Sequence, residues 1–161
     1  MTAKTVSQSK TEMSQLMLPQ HTNLAGTVYG GVVLSIADSA AYVCAARHAG
    51  PRCVTVSVDQ VDFREPIRVG EVVTFKASVN YVGRTSMEVG IRIEAEDLKT
   101  GRKRHTNSCY MTLVALNQKG RPAPVPRLMC ESAVEKRRFQ EGQIRREHAR
   151  QLSEKRSRVR R

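Results

Sequence analysis

The four cysteines, Cys44, Cys53, Cys109 and Cys130, include no CxxC pair and follow no regular spacing. That suits neither a zinc ribbon nor a disulfide-stapled mini-protein, and reduced thiols in a cytoplasmic protein are the simplest reading. No HExxH, GxSxG, GxGxxG or P-loop pattern occurs, so serine, zinc and nucleotide chemistry lack local support. His21, His48, His105 and His148 show no ligand spacing, and a surface or helix-cap role is expected of each. Long apolar runs are missing too. The most apolar stretch, Val32 to Ala46, is 15 residues long and contains Ser35, Asp38 and Ser39, whereas a membrane-spanning helix needs about 20 apolar residues. Met1 to Lys10 has no apolar core of a signal peptide.

With 161 residues, 40% of them hydrophobic, the chain is long enough for one domain with a buried core. Its net charge of +12 is unevenly placed: residues 136–161 hold eleven Lys/Arg and three Glu, a net of +8. The body is only mildly basic, which points to a globular domain with a basic appendage rather than a basic domain. We divide the chain into a flexible N-terminus (1–10), a domain (11–128) and a basic tail (129–161) that is partly helical or disordered. The tail reads as a solvated appendage. Nucleic acid or another acidic surface is its alternative partner, although no interleaved aromatics suggest base stacking.

Within the domain, residues 11–18 read as a first strand ended by Pro19. From Gly31 to about His48, Val33, Ile36, Ala37, Ala40 and Cys44 recur at helical steps, and Gly50-Pro51 stops the helix. Val54, Val56 and Val58 alternate, then Val61 and Phe63 continue in the opposite phase, so a bulge is expected near Asp59-Gln60. Residues 73–81 and 87–95 alternate around a turn at Gly83-Arg84, and Ser108 to Leu116 reads as a central strand. One long helix and strands in hairpin order give an α+β fold, a curved antiparallel sheet around the helix, with the other face or edge of the sheet left for a partner subunit.

Two places could carry chemistry. Gly30-Gly31 opens the helix, where free N–H groups could bind a developing oxyanion. Asp38 follows about two turns later, in the most apolar part of the chain; it is either functional or bonded to a neighbouring strand or subunit. Val82-Gly-Arg-Thr-Ser86 is a turn with one cation and two hydroxyls, fit for a phosphate or simply a polar hairpin. Arg64 and Arg68 add cations nearby in sequence.

The pattern Asn23-x-x-Gly26-x-x-x-Gly30-Gly31 followed by Asp38 resembles the signature of hotdog-fold acyl-CoA thioesterases, in particular the cytosolic acyl-CoA hydrolases similar to the bacterial YciA type. Val58-Asp-Gln-Val-Asp-Phe63-Arg-Glu-Pro66, Val82-Gly-Arg-Thr-Ser-Met-Glu-Val89 and the segment Val114 to Pro126 match further blocks in the same order. The resemblance spans residues 11–128. It implies a hotdog fold, double-hotdog dimers that assemble further into a homohexamer, and an active site at the dimer interface. It implies hydrolysis of medium- to long-chain fatty acyl-CoA to free fatty acid and CoA, with no metal and no cofactor beyond the CoA of substrate and product. In that scheme Asp38 is the catalytic carboxylate, acting as general base or as nucleophile. Asn23 of the facing subunit orients the water or the thioester, and the N–H of Gly30 or Gly31 polarises the carbonyl. Arg84, Thr85 and Ser86 form the CoA-binding turn, with Arg64 a further phosphate candidate. Ser39 and Tyr29 depart from the common pattern, which has an acidic residue and Phe there. A non-catalytic acyl-CoA sensor with a nucleic-acid-binding tail is the competing reading; a hotdog dehydratase fits less well, since no histidine lies between Asn23 and Asp38.

Overall fold

The computed structural model describes residues 2–50 and 52–159. Two strands enter first, β1 (Lys4–Thr5) and β2 (Thr11–Leu16), followed by a 3-10 turn at Pro19–His21 and the helix α1 (Gly30–Ala49). Strands β3 (Cys53–Phe63), β4 (Val72–Val82), β5 (Ser86–Glu96) and β6 (Lys103–Ala115) come next, then the short β7 (Leu128–Met129) and a second helix, α2 (Ala133–Val159). Five strands form one antiparallel sheet in the order β2-β4-β5-β6-β3, so β2 and β3 are its edges.

Small residues let α1 lie close against this sheet. Val33, Ala37, Ala40, Ala41, Cys44 and Ala45 are buried on its inner side, against Phe75, Met87, Ile91, Ile93, Met111 and Leu113. Gly50 ends the helix at φ +100°, a conformation open to glycine, with its N–H donating to the Ala46 carbonyl; Pro51 lies outside the described residues. His48 is fully buried rather than at the surface, and its Nε2 meets the Pro126 carbonyl at 3.0 Å. No described helix is long and apolar enough to cross a membrane.

Three expectations change. The N-terminal segment expected to be flexible is tied down: Lys4–Thr5 pairs in parallel with Leu128–Met129, and Val6 and Ser9 are buried. Residues 133–159 are one continuous helix that packs on the outer face of the sheet, the face turned away from α1. Phe139 stacks at 5.1 Å on Tyr81, and Arg145 bonds Glu88 and lies 3.9 Å from the centre of the Tyr110 ring. The face left for a partner by the sequence reading is thus covered in part by the chain's own tail. Arg160 and Arg161 lie outside the described residues.

The third change is in β3. The strand has two register shifts, between Thr55 and Ser57 and between Val58 and Gln60. The bulge expected near Asp59-Gln60 is present, but a second one at Val56 precedes it. Paired residues share a face. Thr55 therefore points inward with Leu113, while Ser57 points outward with Thr112. The three valines that alternate in sequence do not share one face.

Candidate active site

The first turn of α1 explains both of its glycines. A Cβ on Gly30 would stand 3.1 Å from the Phe63 ring, and one on Gly31 would stand 2.3 Å from the Tyr29 ring. Glycine thus lets two half-exposed aromatic rings lie on the start of the helix. The N–H groups of Gly30 and Gly31 form no hydrogen bond among the described residues, as expected of the first turn of a helix.

Asp38 lies further along α1, on its exposed side. Thr55 donates from Oγ1 to Asp38 Oδ1 at 2.6 Å. The other carboxylate oxygen accepts nothing among the described residues and is open to a ligand or water. Asp38 is thus exposed in the single chain despite its apolar neighbours in sequence, and its partner is a threonine of a neighbouring strand. Thr55 was missed in the sequence because one hydroxyl in an alternating strand carries no local signal; its pairing with Leu113 turns it toward α1.

Asn23 serves its own loop. Its Oδ1 accepts from the N–H of Ala25 at 2.9 Å and of Thr27 at 3.2 Å, and its Nδ2 donates to Thr27 Oγ1 at 3.1 Å. It does not bond Asp38 within one chain. Gly30 is eight residues from Asp38, about 12 Å along a helix axis.

The hairpin between β4 and β5 closes through Gly83 N–H and the Ser86 carbonyl at 2.8 Å. Arg84 is exposed at its tip, and Ser86 is buried. Ser86 pairs with Val114 and lines a small cavity together with Arg145 and Ala149 of α2, on the outer side of the sheet, away from Asp38. Thr85 is half-buried, its carbonyl accepting from Ala115 N–H at 3.0 Å. Thr55 and the hairpin are near the same end of the sheet, since Thr55 pairs with Leu113 and Leu113 with Met87. Arg64 is at the other end. Phe63 before it pairs with Asn107, seven residues along β6 from Val114, or about 23 Å. One chain does not bring Arg64 and Arg84 to the same phosphate.

No group of three His, Cys, Asp or Glu side chains that could hold a metal ion occurs among the described residues. Burial pushes the thiols of Cys44 and Cys109 up to about 12, so neither is a thiolate nucleophile near neutral pH.

The family model of the thioesterase superfamily matches residues 25–102. Protein VdlD of Helicobacter pylori strain 26695 is 45% identical over 149 residues, covering 92% of this chain and 84% of that protein. The chain belongs to the thioesterase superfamily. Its hotdog fold is shared with an acyl-CoA hydrolase of Staphylococcus aureus solved with butyryl-CoA and CoA, at a TM-score of 0.87 and 35% identity over 96% of each chain. Variants of that enzyme with an asparagine, an aspartate or a threonine changed to alanine have also been solved. An apo-hexameric acyl-CoA thioesterase superposes at a TM-score of 0.91 with 35% identity, over 95% of this chain and 98% of its own. The cytosolic acyl coenzyme A thioester hydrolase of Rattus norvegicus is 39% identical over 140 residues, 86% of this chain but only 37% of that longer protein.

Proposed function

We propose that the protein hydrolyses acyl-CoA at a site built around Asp38 and completed by a second copy of the chain. The observation that carries this is the Thr55–Asp38 pair. In the three variants of the S. aureus enzyme, fifteen residues separate the asparagine from the aspartate and seventeen the aspartate from the threonine. The same intervals separate Asn23, Asp38 and Thr55.

Asp38 acts as general base. Its free oxygen takes a proton from water, and the hydroxide oxygen bonds to the thioester carbon. The carbonyl oxygen becomes an oxyanion held by backbone N–H groups of Gly30 or Gly31. The C–S bond then breaks, Asp38 returns the proton to the CoA sulfur, and a carboxylic acid leaves. Gly30 and Asp38 of one helix are too far apart to act on one carbon through a single water. The N–H donors and Asn23 therefore come from the facing subunit. Thr55 holds the carboxylate in place, and exposed Arg84 supplies a cation for the CoA phosphates; Thr85, Ser86 and Arg64 are secondary to it.

The β3 edge supports assembly. It is eleven residues long, unpaired on one side, and exposes Val54, Val56 and Val58. Such an edge is a template for pairing with another chain, here a second copy, with a hexamer as in the hexameric relative. Half-exposed Tyr29, Val58 and Phe63 offer apolar surface on the α1 side for a medium- to long-chain acyl group. The cytosolic rat relative supports a cytoplasmic site of action.

Free-thiol release from short- to long-chain acyl-CoAs tests the reading, with wild type and Asp38→Asn compared at equal fold and assembly. Turnover lower by about 10²–10⁴-fold in the variant is expected of a lost general base. Undiminished turnover in Asp38→Asn removes Asp38 from the mechanism.

A further inference from the structure

We propose that Asp59 is a positioning residue for Asp38, acting through the bulges of β3. This rests on Asp38 being the general base. The Asp59 carboxylate bridges two hydroxyls on the outer face of the sheet. Ser57 Oγ donates to its Oδ1 at 2.6 Å, and Thr112 Oγ1 of β6 donates to its Oδ2 at 2.5 Å. Ser57 and Thr112 are a cross-strand pair, and Asp59 is itself the extra residue between Val58, paired with Met111, and Gln60, paired with Tyr110. One carboxylate thus ties together both bulges and the neighbouring strand.

The tie has a consequence on the opposite face. Residues two apart in a regular strand point to the same side. Thr55 and Ser57 do not, because Val56 is extra between them. Thr55 keeps its inward place opposite Leu113 while the extra residue stays at Val56, and Asp59, through Ser57 and Thr112, pins the pairing that follows it. If the bulge slips, Thr55 leaves Asp38 and the carboxylate loses the bond that fixes its aim. Ala149 of α2 lies beside this clamp, lining one small cavity with Asp59 and Thr112. The second helix therefore shields the clamp from the side opposite the chemistry.

The test is a double-mutant cycle on turnover, with oligomeric state checked by sedimentation and fold by thermal melting. Asp59→Ala is expected to lower kcat about 10-fold with KM changed less than about twofold, since misplacement of a reacting group falls on the chemical step. Asp59→Asn, whose amide can accept from one hydroxyl and donate to the other, is expected to restore most of the loss. In a Thr55→Val background, Asp59→Ala is expected to add nothing, because both changes release the same carboxylate. Losses that multiply, a kcat unchanged by Asp59→Ala, or a Thr55→Val enzyme as fast as wild type each overturn the proposal. Should Asp59→Ala fail to fold, Thr112→Val removes one arm of the clamp, and the same cycle decides with it. Failure of the underlying reading shows separately, as turnover retained in Asp38→Asn.

Discussion

Arg145 and Glu88 form the contact that fixes the second helix to the sheet. The guanidinium donates from Nη2 to Glu88 Oε1 at 2.7 Å and from Nε to Oε2 at 3.0 Å, and the Glu88 side chain is only 6% exposed. Both oxygens of a nearly buried carboxylate depend on one residue of a helix that carries much of the chain's positive charge. Arg145→Ala leaves that carboxylate buried and unpaired, at a cost of about 3 kcal/mol. It also removes the cation from the Tyr110 ring. Urea unfolding is expected to show a loss of this size, and hydrogen exchange of the α2 amides to rise by a larger factor than that of α1. Equal protection of α2 in the variant and the wild type would show that the helix does not depend on this pair.

Gly142 reverses the usual helix rule. Glycine to alanine inside a helix stabilises it by about 1 kcal/mol. Here a Cβ would stand 2.8 Å from Tyr81 Cβ and 2.9 Å from Glu88 Oε1. The Tyr81 Cβ is fixed by its own backbone and cannot yield. Gly142→Ala is expected to push α2 off the sheet and to destabilise by about 1–3 kcal/mol, the range of overpacking. Thermal melting checks the sign, and a variant more stable than wild type would contradict the close approach.

Burial holds the His48 imidazole below its ordinary pKa, the Pro126 carbonyl offsetting part of that effect. The unfolded chain therefore takes up a proton near pH 6.5 that the folded chain resists. The stability this residue confers is complete above that pH and is lost as pH falls from there through the lower value of the folded state. The gap in unfolding free energy between wild type and His48→Gln is expected to be larger at pH 8 than at pH 5. An equal gap at both would remove His48 from the acid response.

Elements with a long repeating pattern were legible in the sequence. Val33, Ala37, Ala40 and Cys44 give α1 to within a residue or two, and Phe75, Ala77 and Val79 with Val89, Ile91 and Ile93 give the central hairpin. What escaped depends on contacts between distant segments. Lys4–Thr5 is too short to show a period and exists as strand only through Leu128–Met129. Helix α2 looks solvated because its docking uses one aromatic, one glycine and one arginine rather than an apolar stripe. Of the proposed site, the sequence shows the glycines and the carboxylate that stand in one segment. Thr55 was not legible, since its inward direction follows from pairing with Leu113, while the alternating Val54, Val56 and Val58 suggest the opposite phase. The outward turn of Ser86 was hidden for the same reason: it follows from pairing with Val114 and cover by α2.

Sheet order and chain order are at odds in this protein. The edge strand β3 finds its partner residues on β6 between 44 and 62 residues later, while β4, β5 and β6 form a simple meander. During synthesis, α1 and the valines of β3 emerge before β4, β5 and β6, the central strands that receive them. The meander can form from local hairpins as it leaves the ribosome, but β3 must wait for β6, because long-range pairing closes last. The strand that carries Thr55 is thus exposed throughout the growth of the chain, and its bulges can be set only once the central strands are in place.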